Sequence, residues 1–218
     1  DGTRTFNCEG NCVYLNIFAL NESNPPHDIA AWLPDPASPS NRSLVNQRWH
    51  PTLLDRLRDR DWGFHRFMDM QETNQNAQQD WSDRRSPTHA MQAGILNPRN
   101  VQAEWSWSYP QSGGTGMAIE HLVDLSNEVD LEPWVCVPHL ATDDYVRNMA
   151  RAIAFGTDGD MPYTTHQPTP RWPELNPHLR VFVEFSNEIW AGGASFPQGQ
   201  SVSQVHVIIA HQEQQQRC

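Results

Sequence analysis

Lysine is missing. All 15 basic residues of the 218-residue chain are arginine, set against 26 acidic residues, and the formal net charge is −11. Nucleic-acid binding draws most of its affinity from clustered Lys and Arg, so no nucleic-acid partner is expected. Long apolar runs are missing too. Hydrophobic residues make up 38% of the chain and the mean hydropathy is −0.67. Nothing approaches the roughly 18 consecutive apolar residues of a membrane span. The ten His include no HExxH and no tight cluster, so no metal is expected. "SGGTG" (112–116) lacks the Lys of a phosphate-binding loop. With no dinucleotide fingerprint either, a redox or nucleotide enzyme is disfavoured and no cofactor is expected. The sequence starts at Asp1 with neither an initiator Met nor a signal peptide, and a processed form or a fragment is expected.

Cysteine is scarce: Cys8, Cys12, Cys136 and Cys218. Cys8 and Cys12 flank the turn-like Glu9-Gly10-Asn11, and a local disulfide there would need an oxidising compartment. Without nearby Cys or His partners the pair makes a poor zinc site. Cys136 lies in an apolar run and reads as a small core residue. An acidic, Lys-free surface suits a salty or extracellular setting, and coding bias alone could also produce it. Asn21-Glu22-Ser23 and Asn41-Arg42-Ser43 match the glycosylation acceptor pattern, a short motif of little weight.

What is present has a clear order. "CVYLNIFAL" (12–20) alternates as a strand does, and "IAAWLP" (29–34) reads as a second short strand. Pro51 suits a helix start, and Leu53, Leu54 and Leu57 follow at helical spacing. "GFHRFMDM" (63–70) reads as a strand. A polar segment rich in Asn, Gln and Trp then runs from 71 to about 115, and a loop of that size is usually functional or disordered. Ile119, Leu122, Val123 and Ser126 mark a helix, and "PWVCVPHL" (133–140) a buried strand. Val146, Met149, Ala150 and Ile153 mark the next helix, with Thr142 as its N-cap. A Pro-rich stretch leads into "RVFVEFSNEIW" (180–190), a strand that starts as core. From residue 51 helices and strands alternate, which argues for parallel β/α units.

Each of the three best strands ends in polar groups. The strand at 64–70 carries Arg66 and leads through Asp69 to Glu72 and Asn74. The next leads to His139, and the last ends in Asn187 and Glu188. In β/α barrels the chemistry sits at the carboxyl ends of the strands.

These residues carry a resemblance. "VFVEFSNEIW" resembles the fourth strand of the clan A glycoside hydrolases, the cellulase-like barrels, in which an Asn-Glu pair ends that strand and the Glu is the acid/base. Arg66 in "FHRFMDM" is similar to the clan's Arg on its second strand, and His139 in "CVPHL" to its His after the third. "HRFMDMQETN…WSDR" and "EPWVCVPHLATDDYV" are similar to large secreted bacterial proteins with such a barrel behind a β-sandwich module. The likeness covers about residues 49 to 197. It implies an α/β fold: a partial (β/α)8 TIM barrel of about four β/α units behind a short β-rich segment. Residues 1–28 would be the end of a β-rich module, and residues 29–218 the N-terminal half of the barrel. A complete barrel typically needs about 250 residues.

The resemblance implies O-glycosyl hydrolysis of a polysaccharide or oligosaccharide by a retaining two-carboxylate mechanism in a secreted parent protein. Glu188 would be the acid/base. Arg66, His139, Asn187 and Trp190 would bind substrate, Asn187 through a sugar hydroxyl and Trp190 through its apolar face. Glu184 is not the second carboxylate. Four residues along a strand span about 13 Å, whereas a retaining pair needs about 5–5.5 Å. Glu184 reads instead as a barrel-interior partner for Arg66. The family's nucleophile, a Glu ending strand seven, is not in this chain, so the chain alone is expected to hydrolyse β-glucans negligibly. The rival expectation is a non-catalytic carbohydrate-binding or structural fragment. Nine Trp are many for this length, and Trp81, Trp105, Trp107 and Trp190 are candidates for sugar platforms or for packing.

Overall fold

The computed structural model describes residues 47–74, 76, 78–89, 92, 115–191, 198 and 199, with 23, 37 and 44. The chain divides into two compact units, Asp1–His50 and Pro51–Cys218. Cys8, Cys12, both early strands, the 28/29 boundary, Trp105, Trp107 and the tail beyond 199 lie outside the described residues. In the first unit, the Gln47 N–H donates to the Leu44 carbonyl at 3.0 Å.

The second unit alternates helix and strand as the periodicity predicts. Its elements are α1 (Pro51–Arg58), β1 (Phe64–Arg66), α2 (Ile119–Val129), β2 (Glu132–Val137), α3 (Asp143–Phe155) and β3 (Phe182–Phe185), with a 3-10 turn at Trp81–Asp83. The three strands form one parallel sheet in the order β1-β2-β3. Parallel neighbours need a crossover, and α2 and α3 supply the two returns. α1 packs on α2, α2 on α3, and α2 on β2. The result is a small parallel α/β sheet with a helical layer.

Local chemistry sets the element ends. Pro51 opens α1 where its missing N–H costs nothing. At the end of α1, Arg58 donates to both the Glu128 backbone oxygen (2.6 Å) and its carboxylate (2.7 Å), tying α1 to α2. Thr142 caps α3, its hydroxyl oxygen accepting from the Tyr145 N–H at 3.3 Å. Gly156 ends α3 at φ 75°, and a Cβ there would lie 2.1 Å from the Trp172 carbonyl oxygen, so only glycine fits. The Pro-rich stretch folds back over the helices. Thr157 and Trp172 exchange backbone hydrogen bonds of 3.0 and 3.1 Å, and Leu175 N–H reaches the Ile153 carbonyl at 2.9 Å.

The core lies under α2 and β2: Leu122, Val123, Leu125, Val129, Val135, Cys136, Met149 and Ile153 are all buried. A buried ion pair braces its edge. Arg84 Nη1 donates to Glu120 Oε2 at 3.0 Å, with side chains only 8% and 2% exposed. Thr157 Oγ1 donates to the other Glu120 oxygen at 2.8 Å. Arg84 Nη2 donates to the carbonyls of Gly159 (2.7 Å) and Asp160 (2.9 Å). Burial raises the Glu120 pKa and the Arg84 charge opposes that rise.

Three expectations need correction. The strand predicted over 63–70 stops at Arg66. Beyond it the backbone turns: Gln71 N–H bonds the Phe67 carbonyl (2.9 Å) and Thr73 N–H the Met68 carbonyl (3.1 Å). The apolar face of α3 is rotated from the one expected. Tyr145, Asn148, Met149, Ala152 and Ile153 are buried, whereas Val146 and Ala150 are exposed. The strand read as core is largely open, with Val183 62% and Phe185 51% exposed. β3 is the last strand of the sheet, and its main packing partner is β2.

Candidate functional site

The site is built from the carboxyl ends of the three strands. Register decides which side chains meet. In parallel pairing, partnered residues share a face, so Arg66 aligns with Trp134, Trp134 with Phe182, and Cys136 with Glu184. Arg66 reaches from β1 across Trp134, its guanidinium 5.2 Å from the ring centroid, to Glu184 on β3. There Nε donates to Oε2 at 3.0 Å, while Nη2 donates to Oε1 at 3.0 Å and Oε2 at 2.7 Å. Trp134 Nε1 adds a bond of 3.0 Å to Oε2. The expected Arg66–Glu184 partnership is therefore present. The Cys136 thiol lies 3.7 Å from Oε2, and burial pushes its pKa up to about 11, so it stays a thiol near neutral pH.

Arg66 does not stop at Glu184. Nη2 also donates to Asn187 Oδ1 at 2.8 Å. Asn187 Nδ2 donates to Asn74 Oδ1 at 2.9 Å, and Gln198 Nε2 donates to the same oxygen at 2.8 Å and to the Asn187 backbone oxygen at 2.9 Å. Asn187 is 5% exposed and Gln198 fully buried. Four chain segments are thus joined by one polar cluster.

The backbone around Asn187 is unusual. Ser186 (φ 56°) and Glu188 (φ 45°) are both left-handed, and so is Glu72 (φ 47°) beyond β1. Such conformations disfavour side chains with a Cβ and persist where the surroundings hold them. Here the Ser186 N–H continues the ladder to the Val137 carbonyl at 2.8 Å, and Arg66 and Asn74 grip the Asn187 amide.

A side chain also completes the sheet. Past Arg66 the backbone of β1 no longer faces Cys136. Gln71 takes its place: its Oε1 accepts from the Cys136 N–H at 2.7 Å, and its Nε2 donates to the Cys136 carbonyl at 3.0 Å. The primary amide mimics a strand residue and satisfies a buried backbone that would otherwise be orphaned.

Of the sequence candidates, the structure brings Arg66 and Asn187 into direct contact. Glu188 follows on the same turn, half-buried, with its carboxylate in no hydrogen bond or ion pair among the described residues. Trp190 is 81% exposed. His139 stands just beyond β2, half-buried, and hydrogen-bonds to none of the other candidates. Desolvation lowers its pKa, which favours the neutral ring. Trp81 is 5% exposed and donates to the Asp160 carbonyl, so it packs rather than offering a face to solvent. Trp134, Gln71 and Gln198 were not singled out by sequence. Trp134 sits in an apolar strand, where its register opposite Arg66 is invisible.

No family model, no curated protein and no solved structure matches the chain. Among the described residues no group of three or more His, Cys, Asp or Glu converges as metal ligands would. No described helix is long and apolar enough to cross a membrane.

Proposed function

We propose that this rim is a saccharide site, and that the chain is the first half of a β/α barrel whose parent is a secreted retaining glycosidase. The observation that carries the reading is the Asn187-Glu188 pair. It follows a parallel strand, with left-handed backbone at Ser186 and Glu188 on either side of Asn187, and Asn187 is gripped by the Arg66 of the first strand in the sheet. Strained residues at strand ends collect where function needs a fixed side chain.

Glu188 is the proton donor of the reading. It ends its strand where the chemistry of β/α barrels sits, and its carboxylate is not committed to any partner among the described residues. A general acid of this kind contributes about 10²- to 10⁴-fold to the rate. The full two-carboxylate reaction also needs a nucleophile across the sugar ring. Trp190, open to solvent, supplies an apolar face for a sugar ring. Arg66 and His139 flank the rim.

The test is Glu188→Gln in a barrel completed through strand seven. Turnover of a natural β-glucan should fall more than turnover of an aryl glycoside, because a good leaving group needs little protonation. Equal turnover of both substrates by wild type and variant would remove Glu188 from the reaction and the reading with it.

A further inference from the structure

We propose that Asn74, rather than Asn187, is the amide that meets the ligand, and that it does so as a hydrogen-bond donor to a saccharide oxygen. The proposal rests on the saccharide reading above and assigns the contact within that site.

The polarity of the amide cluster is fixed from both ends, without any assumption about hydrogen positions. Arg66 Nη2 can only donate, so the Asn187 atom 2.8 Å from it is the side-chain oxygen. The Asn187 backbone oxygen can only accept, so the Gln198 atom 2.9 Å from it is the amide nitrogen. Both amides therefore turn nitrogen toward Asn74, from 2.9 and 2.8 Å. The Asn74 atom between these two donors must be its oxygen. Its Nδ2 is then at the far end of the amide, with two N–H groups that donate to nothing among the described residues.

The cluster ends in two unlike loose ends. One is an acceptor, Gln198 Oε1, sealed from solvent without a partner among the described residues. The other is the Asn74 donor, on a side chain only half-buried. Asn187 has spent its oxygen and one N–H internally, and it is 5% exposed. Its remaining N–H has little access to a ligand. Asn74 alone of the three amides combines free donors with an open approach. A saccharide hydroxyl or ring oxygen satisfies such donors. Asn74 follows Glu72 in the turn beyond β1 and meets the Asn187 amide at its nitrogen end, opposite the oxygen that Arg66 holds.

Asn74→Asp isolates this role. The carboxylate keeps an oxygen to accept from Asn187 and Gln198, and it replaces the donor with a charged acceptor. The 15N side-chain amide pair of Asn74 is assigned as the one that vanishes in this variant. On adding cellotetraose to the wild-type protein, that pair should shift while the Asn187 pair stays in place. Asn74→Asp should keep the thermal midpoint and weaken cellotetraose about tenfold, the scale of one lost hydrogen bond. Shifts at Asn187 with a silent Asn74, or unchanged affinity in Asn74→Asp, overturn the assignment while leaving a saccharide site intact. No shift at any backbone or side-chain signal, with cellotetraose or with laminaritetraose, overturns the saccharide reading itself and this proposal along with it.

Discussion

Glu184→Gln tests whether the Arg66 network holds the rim together. The substitution keeps the shape of the side chain and removes its charge. Both Glu184 oxygens face donors: Arg66 Nη2 on one, Arg66 Nε and Nη2 and Trp134 Nε1 on the other. Whichever way a Gln amide turns, its NH₂ confronts a donor. A hydrogen bond to a charged group contributes about 1.5–3 kcal/mol. Breaking a fully buried pair costs about 3–5 kcal/mol, and an exposed pair is worth about 0–1 kcal/mol. The Arg66 and Glu184 side chains are 31% and 24% exposed, which places this pair between the limits. The expected loss is about 2 kcal/mol. With a urea slope of about 2 kcal/mol/M, the midpoint should fall by about 1 M. A double-mutant cycle with Arg66→Met should then show a coupling of about 1–2 kcal/mol. Tryptophan fluorescence and far-UV circular dichroism read the same transition. Additive effects within about 0.5 kcal/mol would mean that the pair does not couple β1 to β3, and the reasoning would fail.

Two other perturbations reach separate parts of the fold. Arg84→Ala strands the 2%-exposed Glu120 carboxylate, and it should cost about 3–5 kcal/mol in a urea titration. Adding Glu120→Gln in that background should restore part of the loss, and no restoration would show that the buried charge was not the cause. His65 and His139 are both held neutral, their pKa values lowered by burial below the ordinary 6.5. The unfolded chain therefore takes up protons first. Their contribution to stability is present above about pH 6.5 and is lost as pH falls through the lowered folded values. His65→Gln/His139→Gln should flatten the decline in urea midpoint between about pH 7 and pH 5, and a decline of unchanged slope would refute this.

Legibility followed the period of the pattern. α2 and α3 stand where apolar residues recur at three- and four-residue spacing, and Thr142 caps as its side chain suggests. β1 was over-read because Phe67, Met68 and Met70 continue the apolar pattern past Arg66 with only Asp69 between them, while the backbone bonds turn inward at Phe67 and Met68. The exposed face of β3 was hidden for a related reason: periodicity reports which residues could be buried, not what stands against them. Arg66 and Glu184 could be paired by residue type, because a charge on an inward strand face needs a partner. The amide cluster could not. Asn74 stands 113 and 124 residues from Asn187 and Gln198, and Asn and Gln carry no charge to announce a partner. Gln71 is the extreme case, since its work is done by an amide that resembles backbone.

That last feature has a mechanical meaning. Because Gln71 closes the ladder beside Cys136, the sheet is zipped at this point by a side chain and not by a continuous strand. A strand residue cannot move without dragging its covalent neighbours along the ladder. A side-chain clip lets the chain leave the sheet after Arg66 while the buried backbone of Cys136 keeps both its partners. The segment after Arg66 thus turns out over the rim, with Gln71 and Thr73 buried, without leaving a gap in the bonding of β2.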